Sequence, residues 1–195
     1  MRVRWRWRNK MLKNAIFLDR DGVINRDSDQ YIKTWEEFEF LPGSLDALSL
    51  LTKHGVDIFI ITNQSILGRG IIPPETLVRT HRLMGDVISA HGGVIRDIFF
   101  CPHTPEEGCD CRKPAPGLIF QARDRYGIDL ASAVMVGDNA KDMECARNAG
   151  CGKAVLVKTG NGLSAEGELS EKRIFPDHVA EDLLAAARWI LGSFP

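Results

Sequence analysis

The sequence predicts an α/β fold, a doubly wound parallel sheet with helices on both faces. Three observations carry this. Short runs that are apolar throughout alternate along the chain with segments of helical periodicity. Strands buried on both faces read as such uninterrupted runs, and the helices between them supply the crossovers that parallel pairing needs. The polar clusters fall directly after the apolar runs, at the carboxyl ends of the strands, where open α/β sheets bind ligands.

Taken in order, Ala15 to Leu18 is a first buried strand. Pro42-Gly43 opens a helix whose Leu45, Leu48 and Leu51 recur at helical spacing, and His54-Gly55 ends it. Val56 to Ile61 is a second strand. Pro73-Pro74-Glu75 starts a long helix reaching His91, closed by Gly92-Gly93. Ile98 to Phe100 forms a third strand, and Pro116-Gly117 opens a helix to Tyr126. Ala133 to Val136 is a fourth strand, 140–149 a helix, and Ala154 to Val157 a fifth strand. A last helix runs from Ala180 to Leu191. The connections after the first two strands hold only loops and single helices, so no large cap domain is expected.

With 195 residues and 44% hydrophobic content, the chain is one domain's worth of protein. The net charge of -1 provides no global field for nucleic acid or an anionic membrane. Arg2, Arg4, Arg6, Arg8, Lys10 and Lys13 crowd the start around Trp5 and Trp7. Residues 1–13 are read as a basic extension, which Met11 as an alternative start would remove, and residues 14–195 as the folded domain. The run lacks the apolar core of a signal peptide. No later stretch approaches the roughly 20 apolar residues of a membrane span. A cytoplasmic monomer without membrane or nucleic-acid partners is expected.

Strand one ends in Asp19-Arg20-Asp21-Gly22 and strand two in Thr62-Asn63-Gln64-Ser65. Strand three leads to Arg112-Lys113-Pro114, and strand four ends in Gly137-Asp138-Asn139, with Asp142 beyond. Singly, each has an ordinary explanation: Asp is common after strands, Thr is a strand former, and an acid suits the first turn of a helix. Their joint placement on one edge points to phosphoryl transfer. Residues two apart on extended chain face the same way, so Asp19 and Asp21 can address one substrate. One carboxylate can act as nucleophile, while the other passes a proton to the leaving alcohol, its pKa raised by the nearby acid. Carboxylates without His or Cys, Asp138 among them, make a hard oxygen site for Mg²⁺. Thr62 and Lys113 can stabilise the transferring group.

Three of the five cysteines lie beside a histidine. Cys101, His103, Cys109 and Cys111 form a Cys₃His set suited to tetrahedral zinc. Four protein ligands leave no open position, so this zinc is structural and folds the loop that leads into Arg112 and Lys113.

These motifs, in order from Ala15 to Gly160, resemble the haloacid dehalogenase superfamily of phosphatases. Within it they are similar to the branch of heptose-bisphosphate and histidinol-phosphate phosphatases, which carries the same zinc loop. The resemblance implies a Rossmann-like haloacid dehalogenase fold with Asp19 as nucleophile and Asp21 as proton donor. It implies Mg²⁺ held by Asp19, Asp138 and the backbone carbonyl of Asp21, with Thr62 and Lys113 stabilising the phosphoryl group. Asp27, Tyr31, Asn63, Gln64, Ser65 and Arg112 would bind the substrate, and Asn139 and Asp142 would support the site from behind. The implied reaction removes the 7-phosphate of a heptose 1,7-bisphosphate in lipopolysaccharide precursor synthesis, a reading favoured by Gly68-Arg69-Gly70. The alternatives are histidinol phosphate as substrate, which the five residues between His103 and Cys109 would suit, or a non-catalytic zinc scaffold on the same fold.

Overall fold

A computed structural model describes residues 12 and 14–193. The basic run expected at 1–13 therefore lies outside the described residues, except Leu12, which bridges Ile128 in parallel fashion. Six parallel strands form one sheet in the order β3-β2-β1-β4-β5-β6. They are β1 (Ala15–Leu18), β2 (Asp57–Asn63), β3 (Ile95–Cys101), β4 (Val134–Gly137), β5 (Lys153–Val157) and β6 (His178–Ala180). The chain order reverses at β1, so the crevice where ligands bind such sheets opens between the ends of β1, β2 and β4.

The helices are α1 (Ser44–Lys53), α2 (Pro74–Ala90), α3 (Gly117–Tyr126), α4 (Ala140–Ala149), α5 (Gly162–Lys172) and α6 (Leu183–Ser193). Alternation along the strands sends side chains to two cores. Ile16, Leu18, Ile58, Ile60, Val134 and Val136 meet Leu48 and Leu51 of α1, Met84 and Ile88 of α2, and Ile190 of α6. Phe17, Phe59, Ile61, Met135 and Leu156 face the other way, toward Leu118 of α3, Met143 and Ala146 of α4, and Leu169 of α5. The doubly wound expectation is met. Among the described residues, β1 and β2 are joined only by loop, the short 3₁₀ turn Trp35–Glu37 and α1, so the fold carries no large cap.

The sheet is longer than the sequence predicts. Residues 178–180 form β6, so Ala180, expected to open the last helix, is strand: it pairs with Val157, and Asp182 caps α6 by accepting a 2.8 Å hydrogen bond from the Ala185 amide. Helix α5 is absent from the sequence reading because its buried positions are only Gly162, Ala165 and Leu169 and it contains two glycines, which lower helix propensity. Strand β3 starts at Ile95, through the polar Arg96 and Asp97, because it is the sheet edge and need not be apolar on both faces.

Candidate active site

A cleft of about 350 Å³ opens at the carboxyl ends of β1, β2 and β4. Its floor is the four motifs. Asp19 follows β1 directly, its amide donating to the Val136 carbonyl at 3.0 Å. Asp138 and Asp142 enter from the β4–α4 junction, where the backbone turns into helix through a reciprocal cap. The Asn139 side chain accepts from the Lys141 amide at 3.2 Å, and Asp142 accepts from the Asn139 amide at 3.1 Å. Asn139 and Asp142 are thus held by the helix start at the edge of the cleft.

Lys113 is 3% exposed, with its ammonium 2.9 Å from Asp19 and 2.6 Å from Asp142. Burial alone would lower its pKa, but Asp142 and Asp19 outweigh that and raise it, so the cation is fixed. Carboxylate oxygens of Asp19, Asp138 and Asp142 lie within 4.8 Å of one another. Three carboxylates face one ammonium, leaving two negative charges, which is the charge of one divalent cation. Burial, then the neighbouring carboxylates, push Asp138 up to about 8. Asp19 is pushed up to about 7 by burial and the charges of Asp142 and Asp21, against the pull of Lys113. An all-oxygen set this short of positive charge fits Mg²⁺.

Gly22 and Gly160 leave open the space that the Asp138 carboxylate fills. A Cβ on Gly22 or Gly160 would lie 2.1 Å from its Oδ2, and both glycines have positive φ. The Asn161 amide donates to the same oxygen at 2.8 Å.

Asp21 behaves differently from the sequence expectation. Its carboxylate points away from the acid cluster to Arg20, whose Nη2 donates to both oxygens at 2.8 and 2.9 Å. Asn25 and Gln64 each donate at 2.9 Å. Burial would raise Asp21, but Arg20, Asn25 and Gln64 outweigh it and hold the carboxyl below its usual range. A close acid was expected to raise it; a closer guanidinium decides the sign.

The β2 motif organises its neighbours. The Gln64 amide also donates to the Thr62 hydroxyl oxygen at 2.9 Å, leaving the hydroxyl proton of Thr62 to point elsewhere. Asn63 clamps the backbone of Lys113 from both sides, donating to its carbonyl at 3.1 Å and accepting from its amide at 3.0 Å. Asn63 and Gln64 border the cleft, and so does Ser65, but the first two spend their amides on holding Lys113, Thr62 and Asp21. On the rim sit Asp27, Tyr31, Arg69, Arg112, Lys141 and Asn161. Tyr31 adopts a positive φ of 61°, a backbone strained for a bulky residue.

The zinc-type set lies outside the cleft, in the loop that leads into Arg112 and Lys113. Sγ of Cys101, Cys109 and Cys111 and Nδ1 of His103 approach one another at 3.2 to 3.5 Å. Zinc bonds of about 2.3 Å would place sulfurs about 3.8 Å apart on a tetrahedron, so the four atoms need only a slight expansion. The Arg112 guanidinium donates to the His103 carbonyl at 3.2 Å, which ties the Cys/His loop to a residue that borders the cleft. Arg20, Arg69, Lys141 and Asn161 are site residues that sequence reasoning passed over. The signal for Asn161 was available, since it follows β5 at the same sheet edge.

A HAD-hydrolase-like family profile matches residues 110–186. The chain is 44% identical to the D-glycero-β-D-manno-heptose-1,7-bisphosphate 7-phosphatase of Bordetella bronchiseptica over 178 residues, 90% of this chain and 97% of the relative. It is 41% identical to the Pseudomonas aeruginosa protein of the same name, over 93% of this chain and 99% of the relative. Among solved structures, the D,D-heptose 1,7-bisphosphate phosphatase of B. bronchiseptica with magnesium and phosphate superposes with a TM-score of 0.87. It is 42% identical and covers 93% of this chain and 99% of that one. The phosphatase of the same description from Burkholderia thailandensis gives a TM-score of 0.71 at 31% identity, covering 93% of this chain and 100% of its own.

Proposed function

Because the chain belongs to the D-glycero-β-D-manno-heptose-1,7-bisphosphate 7-phosphatase family of HAD-like hydrolases, we propose that it removes the 7-phosphate of that sugar bisphosphate through a phosphoryl-aspartate on Asp19. One observation carries the mechanism. Asp19 and Asp21 are open to the cleft, with side chains 14% and 20% exposed, whereas Asp138 and Asp142 are sealed at 2% and 1%. The two reachable acids are the pair that one short strand delivers to a substrate.

A carboxylate oxygen of Asp19 attacks phosphorus as the bond to the C7 oxygen breaks, and Asp21 gives that oxygen a proton. Water then attacks the phosphoryl-aspartate, Asp21 takes the water proton, and the Asp19 carboxylate returns with free phosphate. Resting Asp21, held ionised by Arg20, suits the second half directly. In the first half the incoming phosphate brings negative charge beside it, which raises the carboxyl and lets a proton carried in on the substrate pass to the leaving oxygen. Lys113 and the free hydroxyl proton of Thr62 face the charge that develops on the transferring group. Mg²⁺ would be held by Asp19, Asp138 and the Asp21 carbonyl, with Asp142 behind them, and would supply charge neutralisation for two anions brought together.

The rim residues Asp27, Tyr31, Ser65 and Arg112 are the substrate contacts of this reading. No helix among the described residues is long and apolar enough to cross a membrane. A cytoplasmic location goes with this reading, because a doubly phosphorylated sugar stays in the compartment where it is made.

The deciding experiment compares phosphate release, with Mg²⁺, from D-glycero-β-D-manno-heptose 1,7-bisphosphate and from histidinol phosphate. The heptose is expected to win by at least about 10²-fold in kcat/KM, a discrimination of nearly 3 kcal/mol. Preference for histidinol phosphate would overturn the substrate and leave the chemistry standing. Zinc at Cys101, His103, Cys109 and Cys111 is tested by Cys109→Ala. Zinc content by mass spectrometry and kcat should fall together, kcat by about tenfold or more, as Arg112 and Lys113 lose their support. Full activity in a zinc-free variant would sink the structural role.

A further inference from the structure

His81 on α2 has no part in the chemistry above, yet it is 8% exposed and lies behind the site. Its Nε2 is 3.1 Å from Nη1 of Arg20. Arg20 is itself 1% exposed, a buried cation beside the nucleophile. A guanidinium can only donate, and a buried donor left without an acceptor is costly. Nε and Nη2 of Arg20 are spent on Asp21, at 3.2 Å to Oδ1 and at 2.8 and 2.9 Å to the two oxygens. Nη1 turns the opposite way, and His81 is its acceptor. That fixes the imidazole as neutral with the Nε2 lone pair facing Arg20. Burial, then the Arg20 charge, agree by pushing the ring pKa down to about 3. The ring is held in turn by edge contact with Phe100, 5.8 Å between centroids, and Arg20 lies over Phe38 at 6.0 Å.

We infer that His81 is a positioning residue for the phosphatase reaction: by accepting from Arg20 it fixes the guanidinium plane that aims the Asp21 carboxylate at the leaving oxygen. The inference rests on the reading of Asp21 as the acid and base. Without His81, the unpaired Nη1 pulls Arg20 toward another acceptor, and Asp21, gripped by Nε and Nη2 through three hydrogen bonds, moves with it. The line Asp21–Arg20–His81 joins the reacting edge to an outer helix that makes no contact with substrate in this mechanism.

The test uses His81→Phe, which keeps a ring and removes the acceptor, and His81→Gln, whose amide oxygen can take the place of Nε2. On the heptose bisphosphate, His81→Phe should lower kcat about tenfold or more with KM within twofold, since misplacing a reacting group costs rate rather than affinity. His81→Gln should recover most of that loss. In an Asp21→Asn background, His81→Phe should cost no further activity. If His81→Phe keeps kcat within twofold, or if His81→Gln is as slow as His81→Phe, or if the losses add fully on Asp21→Asn, the positioning role is overturned. If Asp21→Asn is itself fully active, the assignment of Asp21 fails instead.

Discussion

Asp19→Asn is expected to lower phosphate release by on the order of 10⁴-fold or more, because the amide cannot accept the phosphoryl group and no other acid stands in its place. Asp21 is the only other carboxylate of the floor open to the cleft, and Arg20, Asn25 and Gln64 occupy its oxygens. Acid-quenched wild-type enzyme should carry phosphate covalently, and the variant none. Residual activity within tenfold of wild type would move the nucleophile elsewhere. The same substitution should raise the melting temperature in metal-free buffer. The Asp19 carboxyl is pushed up to about 7, from an ordinary value of 3.8. The folded state therefore binds a proton that the unfolded state has released, and stability falls as pH rises between those values. At pH 8 the metal-free fold carries an unwanted buried charge that the amide removes. At pH 4 the gain should vanish.

Lys113→Met should damage both stability and rate. It leaves Asp19, Asp138 and Asp142 with no nearby cation, two of the three sealed from water. Breaking a buried ion pair from one side costs roughly 3–5 kcal/mol. kcat should drop by about 10³-fold, the scale of removing a preorganised charge from a transferring group. Saturating Mg²⁺ should restore part of the melting temperature, since a second cation relieves the repulsion, and none of the rate. A variant that melts with wild type and turns over within tenfold would remove Lys113 from the chemistry.

Much of this was legible because the active edge is made where strands stop. A continuous apolar run marks the strand, and the next polar residue is then placed in space by the fold itself. Asp19, Thr62 and Asp138 follow from that alone, and α4 has the bounds read from the sequence, Ala140–Ala149. What stayed hidden is what periodicity does not encode. Arg20 reads as a surface residue between two acids, yet Asp21, His81 and Phe38 make its burial tolerable. His81 is one polar residue on the buried face of a long helix, and its partner lies far away in sequence. The Arg20 pairing also reversed the expected shift of Asp21, since sequence distance to Asp19 says nothing of which charge the carboxylate faces. The terminal β6 has three residues, too few for any pattern, and Asp182 became visible as a cap only once the helix start was known.

The reversal of strand order at β1 has a kinetic consequence. Asp19 and Asp138 meet only when β1 pairs with β4, which aligns Leu18 with Val136 across most of the chain between them. Such non-local pairings close late and slowly. Until they close, the acids are far apart and neither repel one another nor bind metal. A cation therefore finds its site only in the finished sheet and binds no earlier form of the chain. Its stabilisation appears as slower unfolding, with little gain in the speed of folding. The acids that repel one another are thus brought together by long-range pairing, and a divalent cation bound between them would hold β1 against β4.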